Sequence, residues 1–159
     1  MQTAVDKNVE DNIRSIYKAL LESWNKNDSI RFADLFSESA NIIGFDGSQM
    51  NGKTQIREEL QKIFHDHQVS SYVGIIKEIR ILAENIYLIR AVAGMIPPGT
   101  SQIKPDVNAI QTLIIVNAHD QLRIELYQNT PAAFHGRPEL SKKLTEELQQ
   151  VADKNLTTF

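Results

Sequence analysis

The chain has no cysteine among its 159 residues, which excludes disulfide bonds, thiolate metal ligands and thiol nucleophiles. Proline and glycine are also sparse, at five and seven residues, and this excludes collagen-like and low-complexity chains. Basic residues are not in excess, because seventeen Lys and Arg stand against twenty Asp and Glu, for a net charge of −3. We therefore expect no nucleic-acid partner and no anionic membrane surface as a partner.

Long apolar runs are missing as well. Stretches such as Leu113–Val116 are far shorter than the roughly 20 residues that a membrane-spanning helix needs. The first twelve residues alternate polar and charged side chains and lack the apolar segment of a secretory signal. These features predict a cytoplasmic protein.

The composition that remains is that of a globular protein, with 42% hydrophobic and 23% charged residues. A chain of this length is expected to form one domain with one packed core. We predict a single domain over residues 1–159, with a core over about 9–131 and a C-terminal helix over about 138–152.

Apolar residues recur at helical spacing in four segments. The first helix is predicted from Val9 to Trp24, with Tyr17 on its apolar face. Asp28 is a suitable N-cap for a short second helix that carries Phe32, Leu35 and Phe36. The third runs from about Lys53 to His65, and the fourth carries a stripe of Leu140, Leu144, Leu148 and Val151.

Five segments rich in Ile, Val, Leu and Tyr predict strands, at 40–45, 72–82, 85–94, 109–116 and 122–129. The dipeptide Asp46-Gly47 indicates a turn after the first, and Ala118–Asp120 indicates a hairpin between the last two. Helices followed by a run of strands are typical of an α+β fold and not of an alternating parallel sheet.

The order of these motifs resembles the nuclear transport factor 2-like superfamily, which has a cystatin-like fold. The closest likeness is to its SgcJ/EcaC branch, beside SnoaL-like and ketosteroid-isomerase-like proteins. That branch shows W-N-x-x-D, then L-F, a Gly-basic pair before the third helix, and a late Q-N-T. The matching residues are Trp24, Asn25, Asp28, Leu35, Phe36, Gly52, Lys53, Gln128, Asn129 and Thr130.

The resemblance implies a strongly curved antiparallel sheet wrapped around the long N-terminal helix, with two shorter helices. The result is a cone whose wide end holds a pocket. It also implies a homodimer joined through the outer sheet faces. The superfamily includes isomerases, cyclases, dehydratases and binding modules, so fold alone leaves open whether this chain is an enzyme.

The residues argue against a ketosteroid isomerase. Aligned on that family, the catalytic tyrosine falls at Leu20, the aspartate base near Gly44 and the second aspartate near Gln111. Leu20 and Gly44 cannot transfer protons, and Gln111 donates a hydrogen bond but not a proton.

The same alignment predicts the pocket. We expect Arg90, Gln111, Glu125, Tyr127 and Asn129 to face inward, with Leu88 and Val92 beside Arg90, while Tyr87, Ile89 and Ala91 face away. Trp24 is expected near the helical wall. An inward arginine needs a partner. Either Arg90 pairs with Glu125 and fixes the shape of the cone, or it binds a carboxylate, phosphate or carbonyl group of a ligand.

Three functions follow from this pocket. The first is a small-molecule-binding protein of the SgcJ/EcaC-like type with a polar-lined pocket. The second is a dimerisation scaffold with a vestigial pocket, and the third is a SnoaL-like isomerase or cyclase that uses Glu125 or Tyr127 with Arg90. No metal site is expected, because His65 and His67 lack a third ligand nearby, and no cofactor is expected, because dinucleotide and phosphate-loop motifs are absent.

The outer sheet face is predicted to be aliphatic. Alternation places Ile110, Thr112, Ile114 and Val116 on this face, and on the last strand Leu122, Ile124, Leu126 and Gln128. An aliphatic face of this size needs a cover. A second copy of the chain is one cover, the C-terminal helix is another, and both can hold together.

Overall fold

The computed structural model describes residues 5–159, which form four α-helices, six strands and one short 3₁₀ helix. The helices are α1 (Lys7–Asn25), α2 (Ser29–Asp34), α3 (Lys53–Asp66) and α4 (Pro138–Asp153). The strands are β1 (Phe36–Ile43), β2 (Gln49–Asn51), β3 (Ser71–Ala83), β4 (Ile86–Ile96), β5 (Ala109–Ala118) and β6 (Gln121–Pro131). The 3₁₀ helix, Pro105–Val107, precedes β5. Within the described range, no helix combines the length and apolar character needed to cross a bilayer.

The sheet has the strand order β2-β1-β6-β5-β4-β3, and its inner face packs against α1. The predicted α+β class, with a sheet wrapped against a long N-terminal helix, is confirmed. The sheet is mixed, however, because β1 pairs with β6 in parallel while every other neighbouring pair is antiparallel. Hairpin connections make the later strands antiparallel, whereas β1 reaches β6 only through the rest of the fold.

The first strand differs from its prediction at both ends. Asn27, which has a positive φ of 56°, lies in the turn between α1 and α2. The Asp28 carboxylate then accepts the Arg31 N–H at 3.0 Å and caps the start of α2. Phe36 does not extend α2 but begins β1, four residues before the predicted start at residue 40. The short strand β2, which the sequence shows only as a turn region, pairs with the end of β1.

The two faces of β4 are the reverse of the prediction. Tyr87, Ile89 and Ala91 belong to the main core, while Arg90 is exposed. Cross-strand register explains the error, because Ala91 lies opposite Gln111, and Gln111 lies opposite Asn129. Directly opposed residues share a face, so inward Gln111 requires inward Ala91 and outward Arg90.

A bulge in β6 changes which side chains of this strand face inward, so the predicted outer face of β6 is partly wrong. Ile114 pairs with Leu126 but Ile115 pairs with Ile124, so one extra residue, Glu125, interrupts the ladder. Ile124 was expected to face outward, and it is instead fully buried in the core. Beyond the bulge, Tyr127 and Asn129 point inward as predicted.

The C-terminal helix covers part of the outer sheet face. Leu144, Leu148 and Val151 of α4 form a second apolar cluster with β3 and β4 residues that include Val73, Ile75 and Val92. The chain then turns back, and its last residues run parallel to β3: Gly74 N–H donates to Thr157 O at 2.8 Å and Ile76 N–H donates to Phe159 O at 3.0 Å. The helix is therefore one cover of the outer face.

Candidate ligand cavity

A cavity of about 370 Å³ lies between the C-terminal end of α1, helix α3, the β1–β2 turn and the inner face of the sheet. We call it the cavity. Its walls are mainly apolar and aromatic, with a few polar groups, so the predicted polar lining is wrong for most of the wall. It is lined by Trp24, Phe32, Ile42, Gly44, Phe45, Asp46, Ser48, Met50, Leu60, Ile63, Tyr72, Met95, Tyr127 and Asn129.

The helical wall is held in place by Trp24 and Asn25. The Trp24 indole N–H donates to Ser70 O at 2.9 Å, so the ring offers its apolar surface to the cavity. The Asn25 side chain brackets the backbone of Tyr72, donating to its carbonyl at 3.0 Å and accepting its N–H at 2.7 Å. These bonds fix the end of α1 to the start of β3.

Aromatic rings surround the indole of Trp24. Its centroid lies 5.2 Å from that of Phe64 and 5.4 Å from that of Tyr72, both in edge-to-face arrangements. Phe32 follows at 6.4 Å. Such contacts hold the wall rigid, since edge-to-face pairs add stabilisation beyond the area that they bury.

A buried hydrogen-bond network forms the polar end of the cavity. The Tyr17 hydroxyl donates to Gln111 Oε1 at 2.6 Å. Gln111 Nε2 in turn donates to the Tyr127 hydroxyl at 2.7 Å and to Asn129 Oδ1 at 2.9 Å. The Asn129 amide donates to the Ile43 carbonyl at 3.4 Å. The amide oxygen and nitrogen of Gln111 are thus both hydrogen-bonded within the protein, and they hold Tyr127 and Asn129 in place on the cavity wall.

Three tyrosines at this end are held neutral. Burial raises the pKa of Tyr17, of Tyr72 and of Tyr127 above the ordinary value, since a phenolate would be poorly solvated. The hydrogen bond between Tyr127 and Tyr72 raises the pKa of Tyr127 and lowers that of Tyr72. None of these hydroxyls is a base at neutral pH.

The mouth of the cavity is formed by the β1–β2 turn. Gly44 N–H donates to Ser48 O at 2.8 Å, and Asp46 Oδ1 accepts the Ser48 N–H at 2.9 Å. Hydrogen bonds from the backbone and hydroxyl of Ser48 lower the pKa of Asp46. Asp46 is therefore a carboxylate at neutral pH. It gives the mouth a negative charge, and Phe45 adds a partly exposed ring beside it.

The structure brings together some of the predicted pocket residues. Trp24, Tyr127 and Asn129 line the cavity, and Gln111 lies directly behind the last two. The other two lie elsewhere. Arg90 is 61% exposed on the outer face, with Nη1 3.6 Å from Glu78 Oε1, and Glu125 accepts hydrogen bonds from Ser37 and Ser39.

The expected Arg90–Glu125 ion pair is therefore wrong. The alternative expectation, that Arg90 binds a ligand in the cavity, is also wrong. The prediction placed Arg90 inward because its register for β4 was wrong by one residue. The bulge at Glu125 directs that carboxylate toward β1. Neither residue meets Tyr127 in a common site. Of the described residues that line the cavity, none is Lys, Arg, His or Glu.

Two site residues escaped the sequence reasoning. Tyr17 was assigned to the apolar stripe of α1, which it joins, but its hydroxyl anchors the network. Tyr72 was counted only as the start of a strand. The available signal was chemical, because a tyrosine on a core stripe needs a partner for its hydroxyl. Over residues 5–159, no group of three or more His, Asp or Glu side chains is arranged to hold a metal ion.

The fold is similar to those of several solved structures. A domain of unknown function with a cystatin-like fold from Nostoc punctiforme is 22% identical, with a TM-score of 0.78 over 95% of this chain and 96% of that one. An NTF2-like protein of unknown function from Shewanella oneidensis is 18% identical, with a TM-score of 0.64 over 76% and 98%. A putative calcium/calmodulin-dependent protein kinase type II association domain from Thiobacillus denitrificans is 9% identical, with a TM-score of 0.65 over 74% and 93%.

At these identities the likeness shows the fold alone, and that fold is cystatin-like, or NTF2-like. No family model matches the sequence. No curated protein matches it either.

Proposed function

We propose that the chain binds a small, neutral and largely apolar molecule in the cavity. The observation that carries this proposal is the cavity itself, about 370 Å³ in volume with aromatic and aliphatic walls and a few polar groups at one end. Cavities of roughly 300–1,000 Å³ with such walls are typical of small-molecule sites. An anionic ligand is disfavoured, because Arg90 lies on the opposite sheet face and Asp46 stands at the mouth.

Binding is favoured over catalysis by the state of the polar groups. Burial keeps Tyr17, Tyr72 and Tyr127 protonated, and Gln111 is fully hydrogen-bonded. The isomerase or cyclase alternative needs Arg90 together with Glu125 or Tyr127, and these residues point to different places. General acid–base chemistry needs a group near its pKa at working pH, and the polar end of the cavity offers none.

The test uses N-phenyl-1-naphthylamine, a neutral dye that fluoresces strongly in apolar surroundings. The full-length protein should enhance and blue-shift its emission. Met50→Trp should abolish the effect, because Met50 lines the cavity and the larger ring fills it. Leu82→Trp adds the same ring at an exposed position outside the cavity and should leave the effect unchanged. Equal emission from the two variants would overturn the proposal.

We propose, second, that two copies of the chain associate through the part of the outer sheet face that α4 leaves open. Thr112, Ile114, Val116 and Leu126 are half-buried there and lie outside the apolar cluster that α4 forms with the sheet in residues 5–159. Like faces related by a two-fold axis would bury this strip. The name of the Thiobacillus structure, an association domain, supports a scaffold role as an alternative to ligand binding.

Light scattering tests the association. The chain has a mass of 18.0 kDa, so a dimer should have twice that mass in solution. Ile114→Lys should convert it to the monomer, since it puts a charge into the strip. Ile30→Lys makes the same change at an exposed site on α2 and should keep the dimer. A wild-type protein that stays monomeric at high concentration would refute the association.

We further propose that the chain belongs to the SgcJ/EcaC branch, and the roles of the shared motif residues support this. Trp24 and Asn25 fix α1 to β3, and Asp28 caps α2. Gly52 takes a φ of 94° where α3 begins. Asn129, from the late Q-N-T, lines the cavity.

A further inference from the structure

The buried network behind the cavity has a direction. Asn129 Nδ2 faces the Ile43 carbonyl, a backbone acceptor that cannot change its role. Asn129 Oδ1 therefore faces Gln111 and must accept, so the group that Gln111 turns toward it is the donor Nε2. The other end agrees, because Gln111 Oε1 receives the hydroxyl hydrogen of Tyr17. The fixed backbone acceptor at one end thus sets the orientation of the amides, and the Tyr17 hydroxyl, which can donate or accept, donates at the other end.

The direction continues to the cavity wall. Gln111 Nε2 donates to the Tyr127 oxygen, and the Tyr72 side chain belongs to the same cavity wall. A bond between the hydroxyls of Tyr127 and Tyr72 uses one of their two hydrogens, and the hydrogen bonds of residues 5–159 include no acceptor for the other. Asn129 likewise has a second amide hydrogen after its bond to Ile43. The oxygens of Asn129 and Tyr127 each accept one hydrogen from Gln111.

We infer that the cavity selects molecules that carry a neutral hydrogen-bond acceptor, such as a ketone, ester or amide carbonyl, over molecules that carry only a donor. This rests on the proposed binding function and names its ligand class. A carbonyl oxygen accepts from the free hydrogens of the tyrosine pair and of Asn129, whereas a ligand that carries only a donor leaves those buried hydrogens without a partner. The apolar walls accommodate the rest of the molecule.

Three bicyclic probes of nearly equal size separate these effects: 1-indanone has an acceptor, indole has a donor, and indene has neither. Their dissociation constants are measured on the full-length protein by NMR titration. We expect 1-indanone to bind about fivefold more tightly than indole, the worth of one net hydrogen bond. It should also bind at least as tightly as indene, although water solvates the ketone better.

A double variant tests the residues. Tyr72→Phe with Tyr127→Phe removes two hydroxyls from the polar end, and it should weaken 1-indanone binding about fivefold while indene affinity is unchanged. The matched control is Tyr87→Phe, which removes a hydroxyl from a buried residue that does not line the cavity. It should keep the preference for 1-indanone. If the double variant does not fold, Asn129→Asp should still reduce that preference, because the new side chain can accept from Gln111 but has no amide hydrogen for the ligand.

The outcomes are distinct. Tight binding of 1-indanone together with its loss in the Tyr72/Tyr127 variant supports the inference. Indole binding as tightly as 1-indanone would overturn the inference and leave the proposed binding function standing. Failure of all three probes to bind would overturn both.

Discussion

Tyr17 shows how one residue serves the packing and the polarity of this molecule. Its ring lies on the apolar stripe of α1 and is completely buried, and its hydroxyl reaches across to Gln111 on β5. The path of that hydroxyl runs directly over Gly74 of β3, where a Cβ atom would overlap it. Glycine at residue 74 is therefore what allows the helix to approach the sheet and the network to form.

Gly74→Ala should destabilise the protein by about 2 kcal/mol, in the range of overpacked cores. The new methyl group would overlap the Tyr17 hydroxyl and lie 2.7 Å from Leu21 Cδ1. Urea unfolding measures the change in the free energy of unfolding. Gly44→Ala is the control, because its nearest neighbour, Ser48 O, is 3.5 Å away, and it should be nearly neutral. Equal effects of the two substitutions would contradict this account.

Residue-level prediction from the sequence succeeded where the face of a strand was read from the correct register. Gln111, Tyr127 and Asn129 point inward as expected. Arg90 does not, because an error of one residue in a strand reverses every side chain on it. Ile124 and Glu125 were misplaced for a different reason, since a bulge is a local insertion that alternation cannot reveal.

At the scale of elements, α4 divides the outer sheet face into two parts. Leu148 lies at the centre of the covered part and is fully buried among β3 and β4 side chains. The Asn108 side chain also donates to Thr145 of this helix at 2.9 Å. The helix is thus an integral cover of the sheet and not a loose extension.

Leu148→Ala should lower the free energy of unfolding by about 3 kcal/mol, because it leaves a cavity that the sheet cannot close. Lys143→Ala, at an exposed position of the same helix, should change it little. Thermal and urea unfolding give the comparison. A Leu148 variant as stable as the Lys143 variant would show that α4 is detached from the sheet in solution.

Elements were predictable in proportion to their length and periodicity. The apolar stripes predicted α1, α3 and α4 to within two residues at each end. Strand β2 has only three residues, with one of them half-buried, so it carries no alternation that a sequence can display. The parallel pairing of β1 with β6 depends on partners far apart in the chain, and local pattern holds no information about it.

For the whole molecule, the buried tyrosines predict a loss of stability in alkali. Tyr17 and Tyr127 have pKa values raised above the ordinary 10.0 by burial, so above pH 10 the unfolded chain releases protons that the folded protein keeps. The stability that they contribute is complete below pH 10 and is lost as the pH rises toward their folded values. Each should lower the free energy of unfolding by about 1.4 kcal/mol per pH unit in that window.

Urea unfolding from pH 9 to 11.5, followed by circular dichroism, measures this slope. Tyr17→Phe should make the fall of the free energy of unfolding with pH shallower by about 1.4 kcal/mol per pH unit, the contribution of one titrating group. Ultraviolet absorbance at 295 nm should show the matching tyrosine ionisation appearing together with unfolding. A free energy of unfolding that stays constant across the range would show that these hydroxyls ionise in the folded state.

The parallel pairing of β1 with β6 has a consequence for synthesis of the protein. The hydroxyl of Tyr17 and its partner Gln111 are 94 positions apart, and β1 likewise waits for β6, near the far end of the sheet sequence. At about 5–20 residues per second, a ribosome exposes the apolar stripe of α1 for several seconds before its partners emerge. We expect the nascent chain to bind chaperones during that interval, because chaperones recognise exposed apolar surface. The cavity is accordingly among the last parts of the molecule to take shape.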